Sequence, residues 1–235
     1  MGTYLYCIHA EPVGVPASLV GIDGAAVRAL DLPSLEAWVS DVGGLSVTVS
    51  VDRMRAHDAV CAAALDANET PLPIRFGQTF ASDADARAAI AAKASQLSHR
   101  LRRVAGCVEL RVVLRPGERG EGSSAGADVA TDEDASIGDR PGTAFLRRLA
   151  REGRADIGRD MLCEEARHAL RTAAKSLIVD QQACEAARGV SYFALLVRRS
   201  DVDTVREIAA RVLGSQSYRA VVMGPFAPYS FADDA

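Results

Sequence analysis

The segment 117–140 constrains this chain most strongly, because it contains almost no large apolar side chain. Its sequence, GERGEGSSAGADVATDEDASIGDR, is rich in Gly, Ser, Asp and Glu. Such a composition cannot bury enough apolar surface to offset the entropy lost on ordering, so we predict a flexible acidic linker or loop over 117–140. The linker divides the 235 residues into an N-terminal domain, 1–116, and a C-terminal domain, 141–235.

Composition excludes several classes of protein. Apolar residues make up 49% of the chain and charged residues 25%, which is typical of a globular protein. The net charge of −4 gives no general attraction for nucleic acid or anionic lipid, so we expect neither nucleic acid nor membrane as a partner. No apolar run approaches the roughly 20 residues that cross a bilayer. The N-terminal MGTYLYCIHAEP also lacks the basic and apolar regions of a signal peptide.

The five cysteines indicate a reducing compartment. Their number is odd, their spacing is wide and no CxxC pair occurs, so the sequence predicts neither a disulfide framework nor a zinc site. We expect buried, reduced thiols and a cytoplasmic location. The cysteines are Cys7, Cys61, Cys107, Cys163 and Cys184.

Strand and helix patterns alternate along the chain, which predicts an α+β fold with two domains. We expect a ferredoxin-like arrangement in the first domain, and mixed helices with a small sheet in the second. Alternating or β-rich runs predict strands over 3–9, 27–32, 35–39, 45–51, 107–114, 190–198 and 218–223. Apolar spacing and capping residues predict helices over 53–67 after Asp52, from Ser82 to 104, over 159–187, and over 201–213.

Catalytic chemistry finds little support in the sequence. None of the patterns GxGxxG, GxxxxGK[ST], HExxH and GxSxG occurs, so we predict no catalytic residue, no cofactor and no metal site. His57 and Cys61 lie four residues apart on a predicted helix, where a base and a nucleophile could approach each other. Because Val60 and Ala64 surround Cys61 on that helix, we interpret the cysteine as a small core residue.

The stretch LPIRFGQTF, at 72–80, is unusual for a plain globular domain. Pro73 stiffens the chain, Gly77 allows a sharp turn, and Arg75 stands between two apolar residues. An edge strand with a paired arginine and a binding segment both fit this pattern, and the two interpretations stay open.

The stretch GPFAPYSF, at 224–231, combines two prolines with three aromatic residues. Prolines keep such a segment extended, and its aromatic side chains are too apolar to stay in water. We expect Phe226, Tyr229 and Phe231 to lie in a groove on the second domain. Contact with a partner protein is the alternative.

These two stretches, together with others, resemble the gas vesicle accessory protein F/L family (GvpF/GvpL). The resemblance rests on MGTYLYCIHAEP, HDAVCAAALDANETPLPIRFGQTF, LRRVAGCVELRVVL, PGTAFLRR, and ALLVRRSDVD followed by VVMGPFAPYSF, in this order. The family tail usually reads GPWPPYSF, whereas this chain has Phe226 and Ala227 in place of Trp and Pro. The F or L subtype therefore stays open.

The resemblance implies a two-domain α+β protein without known catalytic activity, which works in the cytoplasm as a minor factor in gas vesicle assembly. It implies binding to the small, very hydrophobic major shell protein and to other gas vesicle accessory proteins. We expect the shell protein to bind chiefly to the first domain. The expected partner-binding residues are Arg75, Phe76, Gly77, Phe226, Tyr229 and Phe231.

The alternative function is a small-molecule enzyme or a ligand-sensing domain on a ferredoxin-like scaffold, because that architecture hosts many functions. A pocket in which His57, Cys61 and a carboxylate converge would favour this alternative.

Overall fold

A computed structural model describes residues 1–67, 70–116, 160–187, 190–214 and 218–232. The predicted linker, 117–140, lies outside the described residues. Within the described ranges, two antiparallel sheets and five α-helices confirm the expected α+β class.

The first sheet has the strand order of a ferredoxin-like sheet. Its strands are β1 Gly2–His9, β2 Arg28–Leu32, β3 Leu35–Val42, β4 Leu72–Pro73 and β5 Thr79–Phe80. The order is β2-β3-β1-β4, with β5 also beside β1, and all neighbours are antiparallel. The expected ferredoxin-like arrangement is thus present, except that a short 3-10 helix, Ile22–Gly24, replaces the α-helix between β1 and β2.

Helices cover both faces of the first sheet, which explains why β1 is buried along its whole length. A bulge between Leu5 and Cys7 in β1 shifts the strand alternation by one residue. Tyr4, Tyr6 and Cys7 consequently share one face, beneath the helix α1, Val51–Asp66. Leu5 and Ile8 occupy the opposite face, beneath α2, Asp83–Ala92, and α3, Ala94–Val104.

The segment 45–51, predicted as a strand, forms none. Because β3 is already paired with β1 and β2, it has no free edge to offer this segment. Leu45 and Val49 remain 66% and 67% exposed. The cap of α1 also differs from the prediction: Ser50, not Asp52, is the N-cap, and its hydroxyl accepts a hydrogen bond from the Arg53 N–H at 3.2 Å.

The single helix predicted from Ser82 to residue 104 is divided in two. Ser82 is the N-cap of α2, as expected, and accepts a hydrogen bond from the Asp85 N–H at 3.2 Å. The helix ends at Lys93, whose φ of −112° and ψ of 9° lie outside helical values, and α3 begins at the next residue.

The second sheet belongs to a complete ferredoxin-like unit. Its strands are β6 Cys107–Pro116, β7 Ile178–Gln181, β8 Glu185–Ala187, β9 Val190–Arg198 and β10 Tyr218–Phe226. A helix over 160–173 (α4) follows β6, and α5, Val202–Leu213, follows β9. The order is β10-β6-β9-β7, with β8 also beside β9. The succession β6, α4, β7 with β8, β9, α5, β10 is the split βαββαβ motif.

Three expectations change in this unit. The strand β6, which the sequence places at the end of the first domain, is hydrogen-bonded between β9 and β10. The helix predicted over 159–187 ends at residue 173, because the residues beyond it pair with β9 as β7 and β8. Cys163 and Cys184, expected as thiols, form a disulfide, whereas the other three cysteines are free and buried.

One hydrophobic cluster joins the two units. It contains Leu97 and Leu101 of α3 from the first unit, and Ala194 and Leu196 of β9 from the second. Phe231, from the segment after β10, also belongs to it. The two sheets therefore share part of their core. Whether the chain divides into domains at 117–140 stays a prediction.

Candidate functional site

The edge of the first sheet is interrupted by a three-residue bulge, 75–77, which we call the RFG bulge. The N–H of Ile74 donates to Tyr6 O at 2.8 Å, and the N–H of Leu5 donates to Gln78 O at 3.0 Å. Adjacent residues of β1 thus pair with residues four apart on the edge, so 75–77 loop outward. Gly77 has a φ of +94°, which favours glycine, and the sharp turn expected there is confirmed.

A chain of hydrogen bonds beneath α1 holds the RFG bulge in place. The N–H of Gly77 donates to the Tyr4 hydroxyl at 2.9 Å, and the same hydroxyl is hydrogen-bonded to Nδ1 of His57, also at 2.9 Å. Burial raises the pKa of Tyr4, so this hydroxyl stays protonated. The ring of Phe76 lies 6.1 Å from that of Tyr4 and 5.8 Å from that of His57. Phe76 therefore faces α1.

A cleft of about 590 Å³, which we call the edge cleft, opens on the other side of the RFG bulge, between the segment 72–80 and the helices α2 and α3. Its apolar wall comes from both sheet and helices and includes Leu5, Ile8, Leu72, Ile74, Phe80, Ile90 and Leu97. Arg75, Lys93 and Arg100 also line it. No Asp or Glu belongs to this lining in the described part of the chain.

The C-terminal segment 227–232, which we call the tail, packs on the first sheet. Ala227 and Tyr229 join the cluster beneath α1, where the Tyr229 ring lies 6.2 Å from that of His57. Phe231 is fully buried in the cluster on the opposite face, and Ala232 lines the edge cleft, where its carbonyl accepts a hydrogen bond from Arg100 at 3.2 Å. The groove predicted on the second domain is thus replaced by packing against the first unit.

A buried carboxylate anchors the tail to the second sheet. Glu109 of β6 is completely buried, and its Oε2 accepts a hydrogen bond from the Ser230 N–H at 2.8 Å. Its Oε1 accepts from the Ser230 hydroxyl at 3.0 Å and from Arg111 at 2.7 Å. A buried charge needs such partners. The Ser of PYSF thereby satisfies Glu109, while the aromatic residues on either side pack against the first sheet.

The six predicted site residues fall into four places. Arg75 lines the edge cleft, on the bulge that Gly77 turns. Phe76 and Tyr229 meet around His57 on the opposite face of the sheet, and Phe231 lies in the core shared by the two units. Phe226, the last residue of β10, lies away from the others, with its ring 5.9 Å from the Arg111 guanidinium.

Lys93 and Arg100 complete the cationic lining of the edge cleft, and neither is among the six predicted site residues. Lys93 stands at the break between α2 and α3, and Arg100 lies on α3 near the buried Leu97 and Leu101. Arg100 follows the buried Leu97 by three residues, so the two side chains lie on the same side of α3. This spacing is the signal by which the sequence could have identified Arg100. Their convergence with Arg75 depends on the tertiary structure.

His57 and Cys61 do approach each other, with Nε2 3.8 Å from Sγ. A hydrogen bond with Cys7 lowers the pKa of Cys61 and His57 adds to this effect, whereas burial opposes it; burial raises the pKa of Cys7. The third group at His57 is the Tyr4 hydroxyl rather than a carboxylate. Cys61 is completely buried, so a substrate would have to open the core to reach it. The interpretation of Cys61 as a core residue agrees with this packing.

The described residues contain no cluster of His, Cys, Asp and Glu suited to a metal ion. In the same ranges, none of the helices combines the length and the apolar character that a bilayer crossing requires.

Comparisons with known proteins give one family match and two solved structures of similar fold. The profile described as "Gas vesicle synthesis protein GvpL/GvpF" matches residues 2–233. The fold is similar to a crystal structure of the gas vesicle protein GvpF from Anabaena sp. PCC7120, with a TM-score of 0.72 and 18% identity over 100% of this chain and 97% of that one. It is also similar to GvpF from Microcystis aeruginosa, with a TM-score of 0.71 and 17% identity over 99% of each chain. None of the curated proteins compared with the sequence matches it.

Proposed function

Because the chain belongs to the gas vesicle synthesis protein GvpL/GvpF family, we propose that it is a non-enzymatic assembly factor that binds the major gas vesicle shell protein. The shell protein is expected to be small and very hydrophobic, and a subunit that self-associates through apolar surface must be covered until it joins the growing shell. A folded protein with a net charge of −4 is suited to keep such a subunit in solution.

The observation that carries this proposal is the edge cleft. Its apolar wall is built from rigid elements, the strands β1 and β4 and the helices α2 and α3, and it opens at the edge of the first sheet. Recognition of apolar segments commonly uses a groove of this kind between secondary-structure elements. We therefore assign shell-protein binding to the first unit, with Arg75 and the half-buried Ile74 at the contact.

Co-expression with the shell protein tests the proposal. Wild type is expected to hold the shell protein in the supernatant after ultracentrifugation and to retain it on affinity resin. Ile74→Asp places a charge in the apolar wall and is expected to reduce the retained shell protein at least about tenfold. Met161→Asp, on the exposed surface of α4, is the matched control and is expected to bind like wild type. Melting curves of both variants establish that they are folded.

The outcome that contradicts the proposal is equally specific. A folded wild-type protein that retains no shell protein would remove the assembly-factor function. Equal retention by wild type and Ile74→Asp would move the binding surface away from the edge cleft.

We also propose that the protein works in the cytoplasm and binds other gas vesicle accessory proteins there. We expect the protein to occur mainly in the soluble fraction of vesicle-forming cells, with at most a minor amount in floating vesicles. Immunoblots of the two fractions after centrifugal flotation test this distribution. Recovery of nearly all the protein with washed vesicles would identify it as a structural component instead.

A further inference from the structure

The edge cleft has a charge that is opposite to that of the protein as a whole. The chain carries a net charge of −4, yet every charged residue that lines the edge cleft among the described residues is a cation. These cations come from three separate elements: Arg75 from the RFG bulge, Lys93 from the junction of α2 and α3, and Arg100 from α3. Their side chains converge on one apolar wall.

We propose that the edge cleft selects an acidic amphipathic protein segment, in which carboxylates flank an apolar stripe. This inference rests on the proposed function, because it names the chemistry of the partner segment that the same cleft receives. The apolar stripe would contact the wall formed by Leu5, Ile74 and Ile90, and a carboxylate would pair with the exposed Lys93. Arg75 and Arg100 already have partners, and they contribute positive charge to the same cleft.

The backbone of the sheet edge favours side-chain recognition over strand addition. An added strand needs a continuous row of backbone donors and acceptors. Here the edge consists of two strands of two residues, β4 and β5, separated by the RFG bulge. A partner strand would lose register at 75–77, so the side chains that line the cleft must provide the specificity.

The hydrogen bond from Gly77 to Tyr4 contributes by fixing which face each bulge residue takes. Phe76 is held against the rings of Tyr4 and His57, beneath α1. Arg75 precedes it and lines the cleft on the opposite face of the sheet. The bulge thus places the side chain of Arg75 in the lining of the cleft. In a regular edge strand, the same residue would have a different position.

Synthetic peptides test the chemistry directly. The probe is a fluorescently labelled amphipathic peptide with Leu and Ala on one face and three Glu residues beside it. Two matched peptides carry Gln or Lys in place of Glu. Fluorescence anisotropy with the full chain is expected to rank the Glu peptide about tenfold tighter than the Gln peptide, and the Lys peptide weakest. Raising NaCl from 50 to 300 mM is expected to remove most of the Glu advantage.

Variants locate the interaction. Lys93 is exposed at a helix junction, so Lys93→Glu is expected to fold normally and to weaken Glu-peptide binding at least about fivefold. Arg75→Gln is expected to weaken it less. Arg102→Glu is the matched control, because it makes the same charge change on exposed α3 surface outside the cleft lining. Arg100 is left intact, since its contact with Ala232 also holds the tail.

Retention of the shell protein distinguishes a failure of the proposed function from a failure of the acidic-segment inference. If wild type retains shell protein, but the three peptides bind equally or Lys93→Glu behaves like Arg102→Glu, the acidic-segment inference is wrong and the proposed function stands. If wild type retains neither shell protein nor peptide, both fail. A concentration-dependent dimer that Lys93→Glu disrupts would assign the cleft to a second copy of the chain, and would also overturn the inference.

Discussion

His9 shows how burial of a single side chain sets the pH range of stability. The imidazole is completely buried against Trp38, with Nε2 3.6 Å from the Cys7 sulfur. Burial lowers the pKa of His9 from 6.5 to about 4, and the nearby Glu36 opposes this shift only in part. The folded protein therefore holds a neutral imidazole at a pH where the unfolded chain binds a proton.

This difference predicts a loss of stability in acid. Below pH 6.5, His9 binds a proton in the unfolded state but stays neutral in the folded state. His9 therefore destabilises the fold progressively as the pH falls to about 4. We expect its contribution at pH 4.5 to be about 2.5 kcal/mol. Urea unfolding of wild type and His9→Gln at pH 7 and pH 4.5 measures it, with the exposed His99→Gln as the control. A wild-type pH dependence unchanged in His9→Gln would contradict the assignment.

Gly21 is required because a side chain there has no room. A Cβ atom at this position would lie 2.0 Å from the Tyr6 hydroxyl oxygen. That oxygen accepts the Ile22 N–H at 2.8 Å and bonds Ser40 Oγ at 2.8 Å, so it cannot move away cheaply. We expect Gly21→Ala to lower the free energy of unfolding by about 2–3 kcal/mol. Gly43→Ala, which meets open space, should change it by less than about 0.5 kcal/mol in the same denaturation assay.

The sequence could predict the turn at Gly77 and the unusual position of Arg75, because both follow from residue type. It could not predict that Phe76 and Tyr229 meet around His57. That contact needs the RFG bulge and the path of the tail, and both depend on residues distant in sequence. The same limit applies to Lys93, whose role arises from a helix break between two good helix-forming stretches.

At the scale of elements, alternation identified strands only where a partner edge existed. The segment 45–51 alternates as a strand should, but β3 has no free edge for it. The residues 178–187 looked helical, yet they lie beside β9, whose open edge they cover as β7 and β8. The local sequence pattern gives the tendency of a segment to form a helix or a strand. Whether a strand forms also depends on a neighbouring strand with a free edge to pair with.

The start of α1 gives a prediction at this scale. Ser50 accepts the Arg53 N–H, whereas the Asp52 side chain lies inside the first turn and is almost fully exposed. We expect Ser50→Ala to lower the free energy of unfolding by about 1 kcal/mol, because an N-cap hydrogen bond is lost. Asp52→Ala should cost clearly less, since it removes only a favourable charge near the helix N-terminus. A larger effect of Asp52→Ala in thermal or urea unfolding would restore the cap predicted from the sequence.

At the scale of the whole molecule, the chain builds two ferredoxin-like sheets in succession, and the second begins at β6. The sequence predicted β6 as a strand but could not identify its neighbours, because β9 and β10 lie beyond the segment 117–140 that separates them from it. The tail then connects the second sheet back to the first. It leaves β10 of the second sheet and ends in the core of the first, where Phe231 touches both.

Phe231 is therefore expected to couple the stability of the two units. It is fully buried in a cluster with Leu101 of α3 and Leu196 of β9. We expect Phe231→Ala to lower the free energy of unfolding by about 3–4 kcal/mol, because it removes a large side chain from a closed core. Phe226→Ala removes the same side chain from a half-buried position on β10 and should cost about half as much or less. Calorimetry measures both effects: wild type should unfold in one transition, and loss of the Phe231 contact should separate it into two. Equal effects of the two variants on a transition that stays single would show that the tail does not join the units.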